Sequence, residues 1–312
     1  MPNAFYTDHP WADVEVERAI LSAAGIDLRE ASNNQEATLA AQVGDADAII
    51  TCWAPTTARV IDAAPNLRHI ARTGVGLDNI DVARATERGV VVTNVPDYCV
   101  TEVAEHTIGL AFAMARKIAE CAIATRAGRY SLVDAEPYRR IAGQTFGVIG
   151  LGRIGSRVAE MARALGCRVL GNNRSGSTPE GVAWAPLDQL LAESDFVALL
   201  APLTDETHKM INDRTLALMK PDAFLINTSR GGLVDHDALA RTLAQGRLAG
   251  VALDVQTPEP PDLSAPPYNH PRVLVTPHTA FVSTQSMIDL RTRVAHQVAA
   301  VLAGEQPENV VN

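Results

Sequence analysis

Short apolar runs alternate along this chain with longer stretches in which apolar residues recur every three or four positions. In the first hundred residues the apolar runs fall at 4–7, 48–51, 69–71 and 90–92, with helical patterns such as 14–24 and 57–63 between them. This strand–helix alternation predicts a parallel sheet covered on both faces. The rhythm restarts at Phe146 and continues through apolar runs at 146–149, 168–170, 196–200, 223–226, 249–253 and 273–275. Two doubly wound sheets are therefore expected. One long helix, about 100–127, should separate them, and a polar, Arg-rich segment up to Ile141 should lead into the second. A last helix, about 283–303, follows the final strand. Its return to the first sheet would make that domain discontinuous.

The stretch with the sharpest local signal starts at Phe146. An apolar strand runs into Gly150-x-Gly152-x-x-Gly155, a helical pattern over 153–165 follows, and a second strand begins at Arg168. In such a setting Gly150 permits a tight turn, Gly152 lets backbone approach a pyrophosphate, and Gly155 lets helix and strand pack closely. The helix N-terminus then offers free N–H groups and the positive end of its dipole to phosphates. The second strand ends in Asn172, Asn173, Arg174 and Ser175, without the acidic residue that would bond both ribose hydroxyls of NAD. A guanidinium beside a hydroxyl suits a 2′-phosphate, so the missing carboxylate and the added cation of Arg174, with Ser175 beside it, favour NADP over NAD. The plainer reading makes Arg174 a solvated loop residue and Asn173 a ribose ligand of NAD.

Composition narrows the field. With 312 residues and 47% hydrophobic content, the chain is long enough for two domains with substantial cores. A formal charge of −9 argues against a nucleic-acid-binding surface. Cys52, Cys99, Cys121 and Cys167 are widely spaced, match no metal-ligand pattern and read as reduced thiols. No metal site is expected. The N-terminal residues lack the features of a signal peptide, and no apolar run is long enough to span a bilayer. A cytoplasmic protein with no membrane partner is the expectation.

Several segments then carry a family resemblance. They are the glycine motif, Arg72–Asp81 (RTGVGLDNID), Val103–His106 (VAEH), Asn227–Asp235 (NTSRGGLVD), Ala252–Val255 (ALDV), Glu259-Pro260 and Thr276-Pro277-His278. In this order and spacing the chain resembles the D-isomer-specific 2-hydroxyacid dehydrogenases over nearly its whole length. Tyr98-Cys99 and the run 279–283 resemble the branch that contains phosphoglycerate-dehydrogenase-like enzymes and the C-terminal-binding-protein corepressors. The resemblance implies two Rossmann-like α/β domains: a discontinuous substrate domain (1–98 and 288–312) and a dinucleotide-binding domain (99–287). It further implies an active site in the cleft between them, a 2-oxo or 2-hydroxy acid substrate, and a homodimer.

The chemistry of such a reaction selects residues. Hydride addition to a 2-oxo acid leaves negative charge on the carbonyl oxygen, which calls for a cation and a proton donor. His278 is the candidate donor, Glu259 the carboxylate that favours its imidazolium, and Arg230 the fork that holds the carboxylate and polarises the carbonyl. Singly, each has a plainer reading: a turn cap, a solvated acid, a structural ion-pair partner. The resemblance places the substrate carboxylate on the backbone of Val75 and Gly76, and the nicotinamide carboxamide on Asp254. It places the pyrophosphate on the amides of Arg153 and Ile154, and cofactor-lining positions at Pro202 and Thr207. Thr101 is read as approaching the nicotinamide side, whereas Glu105 and His106 are read as structural. Phe281 is assigned to the substrate pocket. Trp53 either lines that pocket or packs at an interface, and Arg72 meets either a second anionic group or an internal partner. Glu259 argues against formate oxidation, since the formate dehydrogenases that resemble this family carry Gln in that role. Two other readings of the chain stay open here: a nucleotide-sensing, corepressor-like binding protein, and a phosphite-type dehydrogenase.

Overall fold

Five short strands build the first sheet: β1 (Asn3–Tyr6), β2 (Asp27–Glu30), β3 (Ala48–Thr51), β4 (His69–Arg72) and β5 (Val91–Thr93). All neighbours are parallel, in the order β2-β1-β3-β4-β5. Every residue of β3 and β4 is buried, which explains their reading as apolar runs. β2 has no such run. It is an edge strand of sequence DLRE whose one buried residue is Leu28, so periodicity gave no sign of it. Helices α1 (Glu15–Ala23), α2 (Glu36–Gln42), α3 (Ala58–Asp62) and α4 (Val82–Glu87) link these strands.

The computed structural model describes residues 1–131 and 139–312, so part of the expected Arg-rich connection lies outside the described residues. Where one helix is expected, two occur: α5 (Val100–Ala115) and α6 (Ile118–Arg126). The break is at Lys117, which adopts left-handed φ 50° and ψ 36°. Helix-forming residues continue on both sides, and a lysine in this conformation leaves no signature in the sequence.

The second sheet is built from β6 (Thr145–Ile149), β7 (Arg168–Asn172), β8 (Ala183–Trp184), β9 (Phe196–Leu199), β10 (Phe224–Asn227), β11 (Gly250–Leu253) and β12 (Val273–Val275). It is parallel throughout, with the order β12-β11-β10-β9-β6-β7-β8. β8, two exposed residues long, was also missing from the periodicity. Between the strands run α7 (Arg153–Ala164), α8 (Leu187–Glu193), α9 (Asp213–Leu218) and α10 (His236–Ala244). Phe146, Phe196 and Phe224 sit in register across β6, β9 and β10, with stacked rings 5.4 and 5.0 Å apart. The chain leaves β6 toward β7 and β8, then returns to β9 on the other side. β6 is thus the point where strand order reverses, the usual place for a ligand in an open α/β sheet.

The last helix, α11 (Thr284–Ala303), opens with a capping box between Ser283 and Ser286 and closes at Gly304, which has φ 83°. It belongs with the first sheet. The chain divides into Met1–Cys99 with Val282–Asn312 as one unit and Val100–Phe281 as the other. Leu290, Val294, Val298 and Leu302 share a core with Val14 and Leu21. Arg291 forms a close ion pair with fully buried Glu17, with Nη2 2.7 Å from Oε2, and Gln297 accepts a hydrogen bond from Thr93 at 2.8 Å. Since an unpaired buried charge is costly, the Arg291–Glu17 pair fixes the register of the returning helix. No helix among the described residues is long and apolar enough to cross a membrane.

Candidate active site

The turn from β6 into α7 cannot be built with any other residue at two positions. Gly150 has φ 96°, and a Cβ there would lie 2.5 Å from backbone atoms of Leu200 and Ala201. A Cβ on Gly155 would lie 1.8 Å from the Gly150 carbonyl oxygen, so helix and turn touch backbone to backbone. Gly152, the N-cap of α7, faces open space. The first amides of the helix, those of Arg153 and Ile154, have no intrahelical acceptor and point out of its N-terminus. Open space beside free donors at the strand-reversal point fits a dinucleotide pyrophosphate.

At the end of β7 the Asn173 side chain closes its own loop. Its Nδ2 donates to Ser177 O at 2.6 Å and its Oδ1 accepts from Gly176 N at 2.9 Å. Ser175 Oγ accepts from Ser177 N at 3.3 Å. Arg174 is exposed on this closed loop and makes no hydrogen bond or ion pair among the described residues. After β9, Thr207 Oγ1 donates to Pro202 O at 2.7 Å and accepts from Thr204 N at 2.8 Å, which shapes the neighbouring loop. Thr101 is exposed in the first turn of α5.

The candidate acid–base residues come together at the ends of β10, β11 and β12. Asp254, fully buried after β11, organises them. Its carboxylate accepts from Thr276 Oγ1 at 2.6 Å, Thr279 N at 3.0 Å and Ala280 N at 2.9 Å, and its carbonyl accepts from His278 N at 2.8 Å. His278 is thereby held at φ 52°, a conformation that a non-glycine residue keeps only under such constraint. Its Nδ1 lies 2.8 Å from Glu259 Oε2, and Glu259 Oε1 accepts from Gln256 N at 2.7 Å. Burial alone would raise the Glu259 carboxyl. The hydrogen bond and charge of His278, the Gln256 amide and the Arg230 charge outweigh it and hold the carboxyl below its usual value.

Arg230 precedes the 3₁₀ turn Gly231–Leu233, and its carbonyl accepts from Asn227 Nδ2 at 2.8 Å. A Cβ on Gly231 would meet Gln256 O at 2.1 Å, so this glycine brings the Arg230 turn against the 256–259 loop. Phe281 stands edge-on to the His278 ring at 5.9 Å. Sequence reasoning assigned no role to Thr276 or Gln256, although both tie the site together. Thr276 stood inside a recognised motif. The Gln256 contribution is a backbone amide, which no side-chain pattern can disclose.

Val75 and Gly76 belong to the other unit, on the loop that follows β4. Their amides donate to nothing among the described residues.

Comparison with known proteins decides the family. Residues 108–280 match the model for the D-isomer specific 2-hydroxyacid dehydrogenase NAD-binding domain, a segment that contains the glycine turn and the Arg230–Glu259–His278 set. The chain belongs to the D-isomer specific 2-hydroxyacid dehydrogenase family. Among its relatives is a glyoxylate reductase of Korarchaeum cryptofilum, 40% identical over 282 residues that span 87% of this chain and 84% of the relative. Two solved structures resemble this 2-hydroxyacid dehydrogenase closely. One is D-lactate dehydrogenase from Aquifex aeolicus, complexed with NAD and lactic acid. It has a TM-score of 0.90 and 30% identity, covering 99% of this chain and 98% of that one. The other is an acyclic imino acid reductase in complex with NADPH and D-Arg. It has a TM-score of 0.89 and 29% identity, covering 99% of this chain and 100% of that one.

Because Gly155 touches the Gly150 carbonyl, Gly155→Ala should push α7 away from β6. Fluorescence titration with NADPH and NADH should show at least about a hundredfold weaker binding of both, as expected when an overpacked contact displaces the phosphate-binding amides. Unchanged binding of both would remove the glycine turn from the cofactor site.

Proposed function

We propose that this dehydrogenase reduces a 2-oxo acid to its D-2-hydroxy acid, or runs the reverse, with NADPH as the preferred cofactor. The observation that carries the reading is the 2.8 Å contact between His278 Nδ1 and Glu259 Oε2, in the same unit as the glycine turn. The nicotinamide cofactor supplies the hydride when bound. His278, with Nδ1 committed to Glu259, delivers a proton from Nε2 to the oxygen on which charge develops. Glu259 fixes the tautomer and stabilises the imidazolium, as a carboxylate within hydrogen-bond distance does. Arg230 polarises the carbonyl with its planar fork of donors. The amides of Val75 and Gly76 are assigned to the substrate carboxylate, and Phe281 to an apolar wall beside His278.

Arg153 and Ile154 are assigned to the pyrophosphate, with Thr101, Pro202 and Thr207 lining the cofactor. Asp254 is read first as the brace of the His278 turn, with its remaining acceptor capacity directed at the nicotinamide carboxamide. The preference for NADPH is supported by the missing acidic residue after β7 and by exposed Arg174, which makes no hydrogen bond or ion pair among the described residues. It is supported too by the NADPH bound in the similar imino acid reductase. No observation favours the sensor or the phosphite reading. A homodimer is also proposed, because α6 buries none of its residues and exposes Ile118 and Ile123.

Three measurements test these assignments. Steady-state rates of NADPH and NADH oxidation across a panel of 2-oxo acids should show rapid turnover of at least one acid. In that assay His278→Ala should lower kcat by about 10²–10⁴-fold. Its NADPH affinity should stay within about twofold, since imidazole acts on the reacting oxygen and not on the cofactor. Parallel loss of NADPH binding would assign His278 to folding instead. Arg174→Gln should raise the KM for NADPH by about tenfold while leaving that for NADH alone, the loss expected of one charge-assisted phosphate contact. An equal effect on both cofactors would sink the 2′-phosphate assignment. Sedimentation equilibrium should give twice the 33.3 kDa chain mass, and a monomer would refute the dimer.

A further inference from the structure

We propose that Tyr268 and His236 form a positioning pair that seats the 256–260 loop and keeps Glu259 against His278. This rests on the proposed reading of His278 and Glu259 as the acid–base pair. β11 ends at Leu253 and β12 begins at Val273, and residues 254–272 between them hold neither helix nor strand. An excursion of that length keeps one shape only where side chains tie it down. On its β12 flank the ties are Gln256 Nε2 to Thr276 O at 3.3 Å and Glu259 to His278. On its α10 flank the loop is packed tightly. A Cβ on Gly231 would meet Thr257 Oγ1 at 2.6 Å as well as the Gln256 carbonyl.

The pair stands on that second flank. His236 is the first residue of α10, next to the Asp235 N-cap. Its Nδ1 lies 3.0 Å from Tyr268 Oη, and the two rings meet edge-on with centroids 5.6 Å apart. Both residues are half-buried, and the Tyr268 ring packs on the core that contains Leu225, Val251 and Leu253. Burial pushes the Tyr268 hydroxyl up and the His236 imidazole down, and in each case the Thr257 backbone opposes the shift. The Glu259 charge adds to the rise at Tyr268. Thr257, two residues before Glu259, therefore lies against the polar ends of both side chains. Asp235 and Asp237 favour a charged His236 ring and Lys209 disfavours it, but burial prevails and the ring is neutral at neutral pH.

Neutrality suits the task. A neutral imidazole offers its lone pair to the phenol O–H, so the clamp brings no net charge beside the site. Glu259 thus keeps both carboxylate oxygens for their own partners, Oε1 for the Gln256 amide at 2.7 Å and Oε2 for His278 Nδ1 at 2.8 Å. A cation in place of the clamp would compete with His278 for that carboxylate. Release of Thr257 would carry the adjoining Gln256 amide away from Oε1 and free the Glu259 side chain to leave His278. The line of action runs from Tyr268 and His236 through Thr257 and Gln256 to Glu259.

The test is Tyr268→Phe, which keeps the ring on the core and removes the hydroxyl, beside His236→Leu, both in the full chain. Hydrogen exchange of the Gln256 amide, resolved by NMR, reads whether Glu259 is in place and needs no turnover. It should be at least about tenfold faster in both variants, with melting temperatures within about 4 °C of wild type. The kcat for the 2-oxo acid that the wild type reduces should fall about tenfold, with its KM and the NADPH affinity within about twofold. The alkaline fall of kcat should also move to lower pH by about half a pH unit, because a displaced carboxylate supports a protonated imidazole less. His236→Asn, which returns an acceptor near the Nδ1 position, should recover most of these effects. Gln256 exchange and a pH profile in Tyr268→Phe equal to wild type would overturn the inference. Loss of NADPH binding alongside kcat would overturn it too, as would failure of His236→Asn to recover the exchange. Faster exchange at Gln256 that His236→Asn recovers, in a protein that turns over no 2-oxo acid, would refute the reductase reading and leave the positioning pair standing.

Discussion

The buried Asp254 carboxylate is the constraint on which the second unit's site depends. Three donors converge on it from the segment after β12, and its own carbonyl takes the His278 amide. Four bonds from one residue leave the His278 turn a single conformation, left-handed at its centre, and that conformation sets the ring at hydrogen-bond distance from Glu259. A buried carboxylate is tolerable only when its lone pairs are satisfied, and here loop amides supply the satisfaction. Desolvation of one acid is thus the physical reason a mobile-looking loop can present an imidazole at a defined place.

The charges of the molecule fall into two groups. In one, each charge finds its partner inside the protein, as with Glu17–Arg291 and Glu259–His278. In the other, cations form no ion pair with a carboxylate among the described residues: Arg174 on an exposed loop and Arg72, buried at the end of β4. Pairing serves geometry in the first group. The two arginines of the second group differ in their surroundings. Arg174 is exposed and screened, whereas Arg72 is buried, so its field weakens far less with salt.

Much of the fold was legible because buried parallel strands are nearly continuous apolar runs and the helices between them carry their own period. β3, β4, β6 and β9 were visible for that reason. β2 and β8 were not, since edge strands with few buried residues leave no such trace. The break between α5 and α6 was invisible too, because Lys117 turns left-handed without a glycine or proline to mark it. At the site, glycine positions could be read because only glycine tolerates the contacts at Gly150 and Gly155. Arg230, Glu259 and His278 could be named as a set. Their separation along the chain gave no distance, and the Gln256 amide and Thr276 hydroxyl that hold them gave no signal.

The sequence by itself determined the alternation of strands and helices, the position of the glycine turn, the lack of an acidic residue after β7 and the reactive residue types available. These are local properties, written in composition and period. Only the tertiary structure decided which charges are paired. That Asp254 braces the His278 turn, that Asn173 closes its own loop and leaves Arg174 exposed, and that Arg72 lies buried at the end of β4 all depend on contacts between distant segments. Electrostatic energy depends on distance and burial, and neither is a property of sequence order.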